Sequence, residues 1–264
     1  MISYGSIGAA LFTPAIPTLM DRFGISASVA QMTVILYLVG YSMGQLIYSP
    51  IAKQFGRKPA LNIGIGVSLI GTIFCAIAGP LNSFTLLVIS RFISALGSST
   101  GLSLTFLIIS DYFYEKQARK VTAYIMLAFA VIPGVAIAIG GFIVVYLGWE
   151  SCFYFLLLYG FFALYLVYRL AETGSGIEKE AIKIRTIYRA YVRDFKNKIL
   201  VLYSIMIGST SAIMYIFAAT APIIGIRIMG ISPDRFGLLN LIPAAGYFIG
   251  NFMQCPVSLF SLLF

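Results

Sequence analysis

Few residues in this chain are equipped for chemistry. Its 264 residues hold 18 Lys and Arg, 9 Asp and Glu, 3 Cys and no His. Imidazole-based triads and His-ligated metals are therefore excluded, and Cys75, Cys152 and Cys255 lie in or beside apolar runs at no metal-binding spacing. A membrane-embedded enzyme would need His, Asp or Glu gathered at a helix end, and no such cluster occurs, so the chain reads as a non-enzyme with no cofactor and no metal. The sharpest single residue is Arg91, set inside the apolar run LLVISRFISAL. A charge at that depth costs at least a few kcal/mol unless it is paired or wetted, which makes it a candidate for function. The plainer alternative is a flexible stem that carries the guanidinium to a nearby interface. No Asp or Glu lies deep in any apolar run, although a carboxylate, neutral for half of a cycle, is the simplest proton carrier in a membrane.

Other candidates are conformational. In SPIAKQFGRKPAL, residues 49–61, Gly56 supplies a turn free of a side chain before Arg57 and Lys58 reach the headgroup level. Pro133, Gly134, Gly140 and Gly141 bend or thin a later apolar run, and close helix packing in lipid accounts for Gly140 and Gly141 without further function. Aromatics such as Tyr37, Tyr41, Phe106, Phe129, Tyr154 and Tyr215 are of a type that lines a cavity, but with 17 Tyr and 21 Phe most must face lipid or the interface.

The elements that position these residues are membrane helices. Hydrophobic residues make up 60% of the chain and charged ones 10%, with mean hydropathy +0.95, which excludes a soluble domain. A span needs roughly 20 apolar residues, and eight runs qualify, at about 2–20, 29–52, 60–79, 84–109, 121–146, 152–170, 199–221 and 236–260. The first is read as a retained helix, since no basic lead-in or cleavage site accompanies it. Three parts follow: a six-helix bundle over 1–170, a basic linker over 171–198 and two further spans over 199–264. The net charge of +9 is spread through loops and forms no nucleic-acid patch. One set of gaps carries Lys53, Arg57, Lys58, Lys116, Arg119, Lys120 and the linker cations, Lys179 among them, while the opposite set carries only Arg22, Arg227 and Arg235. Positive charge marks the cytoplasmic side, so both termini lie inside. In the linker, Ile182, Ile184, Ile187, Tyr191 and Phe195 interleave with Lys and Arg, as in a helix lying on an anionic membrane surface or in a solvated linker that only obeys the charge rule.

Several segments, in order, resemble the major facilitator superfamily, in particular the Bcr/CflA type of drug resistance efflux transporters. FGRKP, 55–59, is similar to the signature between the second and third spans. PAIP, 14–17, with QMTVILYLVGYSMGQ, 31–45, looks like the start of the family. RFISALG, 91–97, through SDYF, 110–113, resembles its Arg-bearing fourth helix. IPGVAIAIGGFIVVYLGWE, 132–150, resembles the antiporter motif, and ATAPIIGIRIMGISPDRFGLLN, 219–240, the seventh and eighth spans.

The resemblance implies an all-α fold of twelve spans in two six-helix bundles around a midplane cavity, of which this chain holds the first bundle and the first two helices of the second. It implies a proton antiporter of the bacterial inner membrane that exports drug-like small molecules, with Arg91 at the cavity and in coupling. It implies an inner gate at Gly56, Arg57, Lys58 and Asp111, a sealing kink at Pro133, Gly134, Gly140 and Gly141, and cavity positions at Pro14, Pro17, Gln45, Pro222 and Asn240. Asp111 is a partner for Arg57 or Lys58, or else a helix-end residue facing solvent. The pattern departs at Ala10, where the family carries an acid, at Lys53 for its Asp, at Ser49 for its first Gly and at Ile137 for its second Pro. With Arg91 lacking an acidic neighbour, substrates are expected to be anionic or neutral. The apolar ending NFMQCPVSLFSLLF reads as that of a truncated product, which leaves a non-transporting remnant as the alternative.

Overall fold

The structure, a computed structural model, describes residues 1–174, 178 and 180–260. Lys179 and positions 261–264 of the expected last segment lie outside the described residues, as does the Cys255 side chain. Among the described residues every regular element is helical, and six helices are long and apolar enough to cross a membrane.

The first apolar segment is two helices, α1 (Ile2–Ala10) and α2 (Ile16–Phe23), joined by a 3₁₀ turn at Thr13–Ala15. Proline causes the break. Pro14 has no N–H for the Ala10 carbonyl, and the Thr13 hydroxyl donates to that carbonyl instead at 2.9 Å. Gly24, with φ 63°, then closes α2 in the left-handed region.

Long spans follow: α3 (Ala27–Phe55), α4 (Arg57–Ala78), α5 (Phe84–Ser98) and α6 (Thr100–Tyr112). Ser26 and Ser83 cap α3 and α5 by accepting the N–H of Val29 and Leu86. The expected fourth span is α5 and α6 together, interrupted at Ser99. There Ser98, Ser99, Thr100 and Ser103 donate to carbonyls three or four residues back, a habit that bends helices. Next come α7 (Glu115–Leu147) and α8 (Ser151–Arg169). α7 starts before the expected 121, in a polar first turn where Arg119 pairs with Glu115. It runs unbroken through Pro133, so the expected distortion there is no interruption of the helix.

The expected linker contains a helix, α9 (Ile184–Lys196). It leads to α10 (Lys198–Pro222), a π-helical turn at Ile223–Ile228, α11 (Pro233–Leu239) and α12 (Leu241–Phe260). Among residues of the expected last segment, those of α11 and α12 pack on α7. Gly134 meets Ala244, and a Cβ on Gly141 would lie 2.2 Å from the Pro233 carbonyl oxygen. α10, by contrast, buries only Pro222.

Within the bundle, one apolar cluster gathers Phe12, Phe23, Trp149 and Phe153 at the end away from the cations, with Phe12 and Phe153 ring centroids 5.0 Å apart. A second, around Leu61, Leu104 and Val167, lies at the basic end. Glycine sets the closest approaches: a Cβ on Gly140 would fall 1.9 Å from the Leu11 carbonyl oxygen, and one on Gly97 2.3 Å from the Ser68 nitrogen.

Candidate functional site

Arg91 stands two turns into α5 and is 1% exposed. Its Nη1 donates to the Gly8 carbonyl of α1 at 3.0 Å and its Nε to the Thr33 carbonyl of α3 at 3.2 Å. The guanidinium lies over two rings, 4.4 Å from the Tyr37 centroid and 4.9 Å from that of Phe12. Enclosure by α1 and α3 leaves it no path along a stem to the interface. Nη2, buried, has no hydrogen-bond partner. The charge is thus held by carbonyl dipoles and aromatic faces, with no carboxylate in contact among the described residues, and Nη2 keeps its N–H groups unpartnered.

Tyr37 extends the site. Its hydroxyl donates to the Gly5 carbonyl at 3.0 Å and lies 3.1 Å from Ser98 Oγ. Tyr41 stacks on it at 6.5 Å, and its hydroxyl is the other buried, unpartnered polar atom among the described side chains. A Cβ on Gly8 would meet the Tyr37 hydroxyl and one on Gly5 the Tyr41 ring, so small residues in α1 make room for both tyrosines. Next to them runs a buried hydroxyl chain: Tyr4 with Ser68 at 3.1 Å, Ser68 with Ser94 at 3.3 Å, and Ser94 with Thr72 at 2.9 Å. In the sequence the only sign of this chain is Ser90, Ser94 and Ser98, spaced four apart, which puts hydroxyls on one face of α5.

A second constellation lies at the basic end. Arg57 grips Asp111 with Nε–Oδ2 at 2.8 Å and Nη2–Oδ1 at 3.3 Å, and its Nη1 reaches the Ala52 carbonyl at 3.0 Å. Lys58 takes no part in that pair. Its Nζ donates to the Tyr168 carbonyl at 2.9 Å and sits over the Tyr168 ring. Gly56, at φ 100°, makes the turn that no side chain would favour. Sequence reasoning missed Glu172. Its carboxylate accepts the backbone N–H of Arg57 at 2.8 Å and of Lys58 at 3.0 Å, and so caps the N-terminus of α4. Burial pushes the Glu172 carboxyl up, but the N–H groups of Gly174, Arg57, Lys58 and Thr173 outweigh it and hold the group below the ordinary carboxylate range. The only available signal was an acid just beyond the sixth span. Glu178 N–H on the Lys53 carbonyl and Ile182 N–H on Gln54 dock the linker further, so it is not a free solvated tether.

The expected cavity positions do not converge. Pro14 and Pro17 are buried at the α1–α2 break, and Gln45 donates to the Tyr41 carbonyl of its own helix at 3.5 Å. Pro222 ends α10, and Asn240, 6% exposed, donates to Phe236 within the same segment. Tyr154 is 56% exposed on the outside of α8. Ala10 is buried in the apolar cluster beside Leu11 and Phe12. Away from the basic end, Arg227 in the π-helical turn bonds Asp21 at 2.8 Å and Gln31 bonds the Ala219 carbonyl at 3.3 Å; neither contact was foreseen. Among the described residues no cluster of metal-ligating side chains occurs.

Comparison with known proteins agrees with this architecture. A family profile described as Major Facilitator Superfamily matches residues 2–262. An uncharacterized transporter of Rickettsia felis is 30% identical over 92% of this chain and 60% of its own length. A bicyclomycin resistance protein homolog of Haemophilus influenzae is 25% identical over 94% of this chain and 62% of its length. Multidrug resistance protein D of Escherichia coli is 23% identical over the whole chain and 66% of its length. The chain therefore spans about three fifths of the relatives it matches. The crystal structure of a D-xylose-proton symporter superposes with TM-score 0.66 at 17% identity, over 92% of this chain and 64% of that one, a likeness of fold.

Proposed function

Because the chain belongs to the major facilitator superfamily, we propose that it works as a secondary transporter of the bacterial inner membrane, exporting drug-like molecules in exchange for protons by rocking two helix groups about a central site. The observation that carries this reading is Arg91: a buried guanidinium on carbonyls and aromatic rings, its Nη2 unpartnered, at the junction of α1, α3 and α5. Such a residue is costly to keep in a membrane unless its charge is used. Two relatives named for drug or antibiotic resistance support efflux of drug-like compounds. A lone positive centre favours anionic or neutral compounds over cations.

The basic end is read as cytoplasmic, with the N-terminus inside, and the two groups as residues 1–170 and 199–264 joined by the 171–198 linker. The contacts Arg227–Asp21, Gln31–Ala219 and Gly141–Pro233 tie the groups together at the far end, while α10 stays uncovered. This fits a cytoplasm-facing arrangement. The uncovered α10 also favours a second reading, a chain that inserts but does not transport.

Dye and drug accumulation in efflux-deficient cells separates the two, with insertion checked by membrane fractionation. Lower accumulation with the chain, restored to control levels by Arg91→Ala, supports transport, and a collapse of the effect on dissipating the proton gradient supports antiport. Unchanged accumulation with correct insertion supports the non-transporting reading.

A further inference from the structure

Within α9, Ile184, Tyr188, Tyr191 and Phe195 recur at spacings of four, three and four, which lines them along one face of the helix. Arg185, Arg189, Arg193 and Lys196 fall on the adjoining face. Protein leaves most of this apolar stripe uncovered: Ile184 is 86% exposed, Tyr188 68% and Phe195 76%, Tyr191 is partly buried beside α3, and no residue of α9 is fully buried. The charges are equally free. Among the described residues Arg185, Arg189 and Lys196 have no carboxylate partner, and Arg193 has only its exposed neighbour Asp194 at 3.4 Å.

Among the described residues one hydrogen bond ties the helix to the bundle. The Tyr191 hydroxyl donates to the Leu46 carbonyl of α3 at 2.7 Å, and Leu46 is itself 54% exposed on the outer flank of the spans. α3 has 29 residues, and at 1.5 Å per residue it measures about 43 Å against an apolar thickness of about 30 Å. Leu46 lies nine residues before Phe55, the end of α3, or about 13 Å from that end. Leu46 thus lies in the last third of α3, toward the basic end of the span.

We infer that α9 is a membrane-surface helix that binds anionic phospholipid headgroups, its Ile184–Tyr188–Tyr191–Phe195 stripe entering the acyl boundary beside α3 and its Arg185–Arg189–Arg193–Lys196 row pairing with lipid phosphates. Positive charge in a linker by itself requires no register. Here the cations share a face beside a continuous apolar stripe, on a helix tethered to the outer flank of a membrane span toward its basic end, and this matches an interfacial amphipathic helix. A negatively charged leaflet is the occupant complementary to both faces.

The test is hydrogen exchange on the purified full chain in nanodiscs of phosphatidylcholine alone and of the same lipid with about 30 mol% phosphatidylglycerol, an anionic surface that attracts each nearby cation about fivefold. Amides of 184–196 are expected to exchange at least about tenfold more slowly in the anionic discs, with the gain removed by Arg185→Gln/Arg189→Gln/Arg193→Gln and by high salt. Amides of α5 serve as the folding control and remain unchanged. Equal exchange in both lipids, or an anionic-lipid gain that the triple variant keeps, overturns the proposal. Soluble inorganic phosphate slowing exchange in neutral discs as well as the anionic lipid does also overturns it, because the row would then be a general anion site. The outcome is independent of transport, so a non-transporting chain does not affect it.

Discussion

The Arg57–Asp111 pair gives the most quantitative test. It joins the first turn of α4 to the last turn of α6, and it is two-pronged, with side-chain exposures of 10% and 15%. Asp111→Asn leaves the guanidinium with the Ala52 carbonyl and a neutral amide. Removing one member of a buried pair costs about 3–5 kcal/mol, and residual solvent access places this pair near the lower end, about 3 kcal/mol. Arg57→Met leaves Asp111 with only the Thr173 hydroxyl, at 3.4 Å, and is expected to cost a similar amount. The double variant strands no charge. Its loss should fall about 2 kcal/mol short of the sum of the single losses, which is a coupling energy of about 2 kcal/mol. The assay is reversible denaturation of the four proteins in mixed micelles. Losses that add to within about 0.5 kcal/mol would refute the argument, since two residues that hold each other cannot behave as independent sites.

At the buried centre, Arg91→Lys keeps the charge but cannot serve two carbonyls and two rings at once, so it should lose most dye export while inserting normally. Arg91→Met, similar in volume and uncharged, should also abolish export but leave stability within about 2 kcal/mol of the parent, because lost hydrogen bonds and lost desolvation cost oppose each other; a larger loss on denaturation would contradict this. For Glu172, whose folded carboxyl is lowered, the cap on α4 is present above the ordinary carboxylate range and disappears as pH falls through the depressed folded value. Exchange of the Arg57 and Lys58 amides, corrected for intrinsic rate, should accelerate as pH falls through that depressed value, and at neutral pH in Glu172→Ala; amides indifferent to both changes would dismiss the cap. Gly140→Ala forces a methyl onto the Leu11 carbonyl and should cost about 2 kcal/mol or more, whereas Gly66→Ala, with open space around it, should be neutral or stabilising by up to about 1 kcal/mol, measured by the same denaturation.

What was legible in the sequence depended on whether a partner was a side chain or a backbone group. The spans were legible because lipid demands a long apolar run, and Asp111 was legible only as a partner for Arg57 or Lys58 or as a solvent-facing helix end, among which the structure selects Arg57. Pro14, which breaks the segment into α1 and α2, was visible, but the run around it stays apolar, and the Thr13 hydroxyl that satisfies the freed Ala10 carbonyl follows no pattern in composition. The helical register of α9 was half legible, since its apolar spacing is regular but its docking rests on one hydroxyl and the Leu46 carbonyl.

Glu172 and Arg91 show why the rest stayed hidden. A sequence search for the acid that balances a cation considers carboxylates near cationic side chains. Glu172 instead engages four backbone N–H groups, two of them more than 100 positions away, and Arg91 engages the carbonyls of Gly8 and Thr33. Peptide groups are present at every position and so mark none. In a bilayer they are also the nearest polar groups to any buried charge, because water is absent. Lys53, standing where an acid was expected in the gate signature, fits this account. The negative charge near the turn comes from Glu172, which reaches the N–H groups of α4 directly, so an acid at position 53 is not needed to hold the start of that helix.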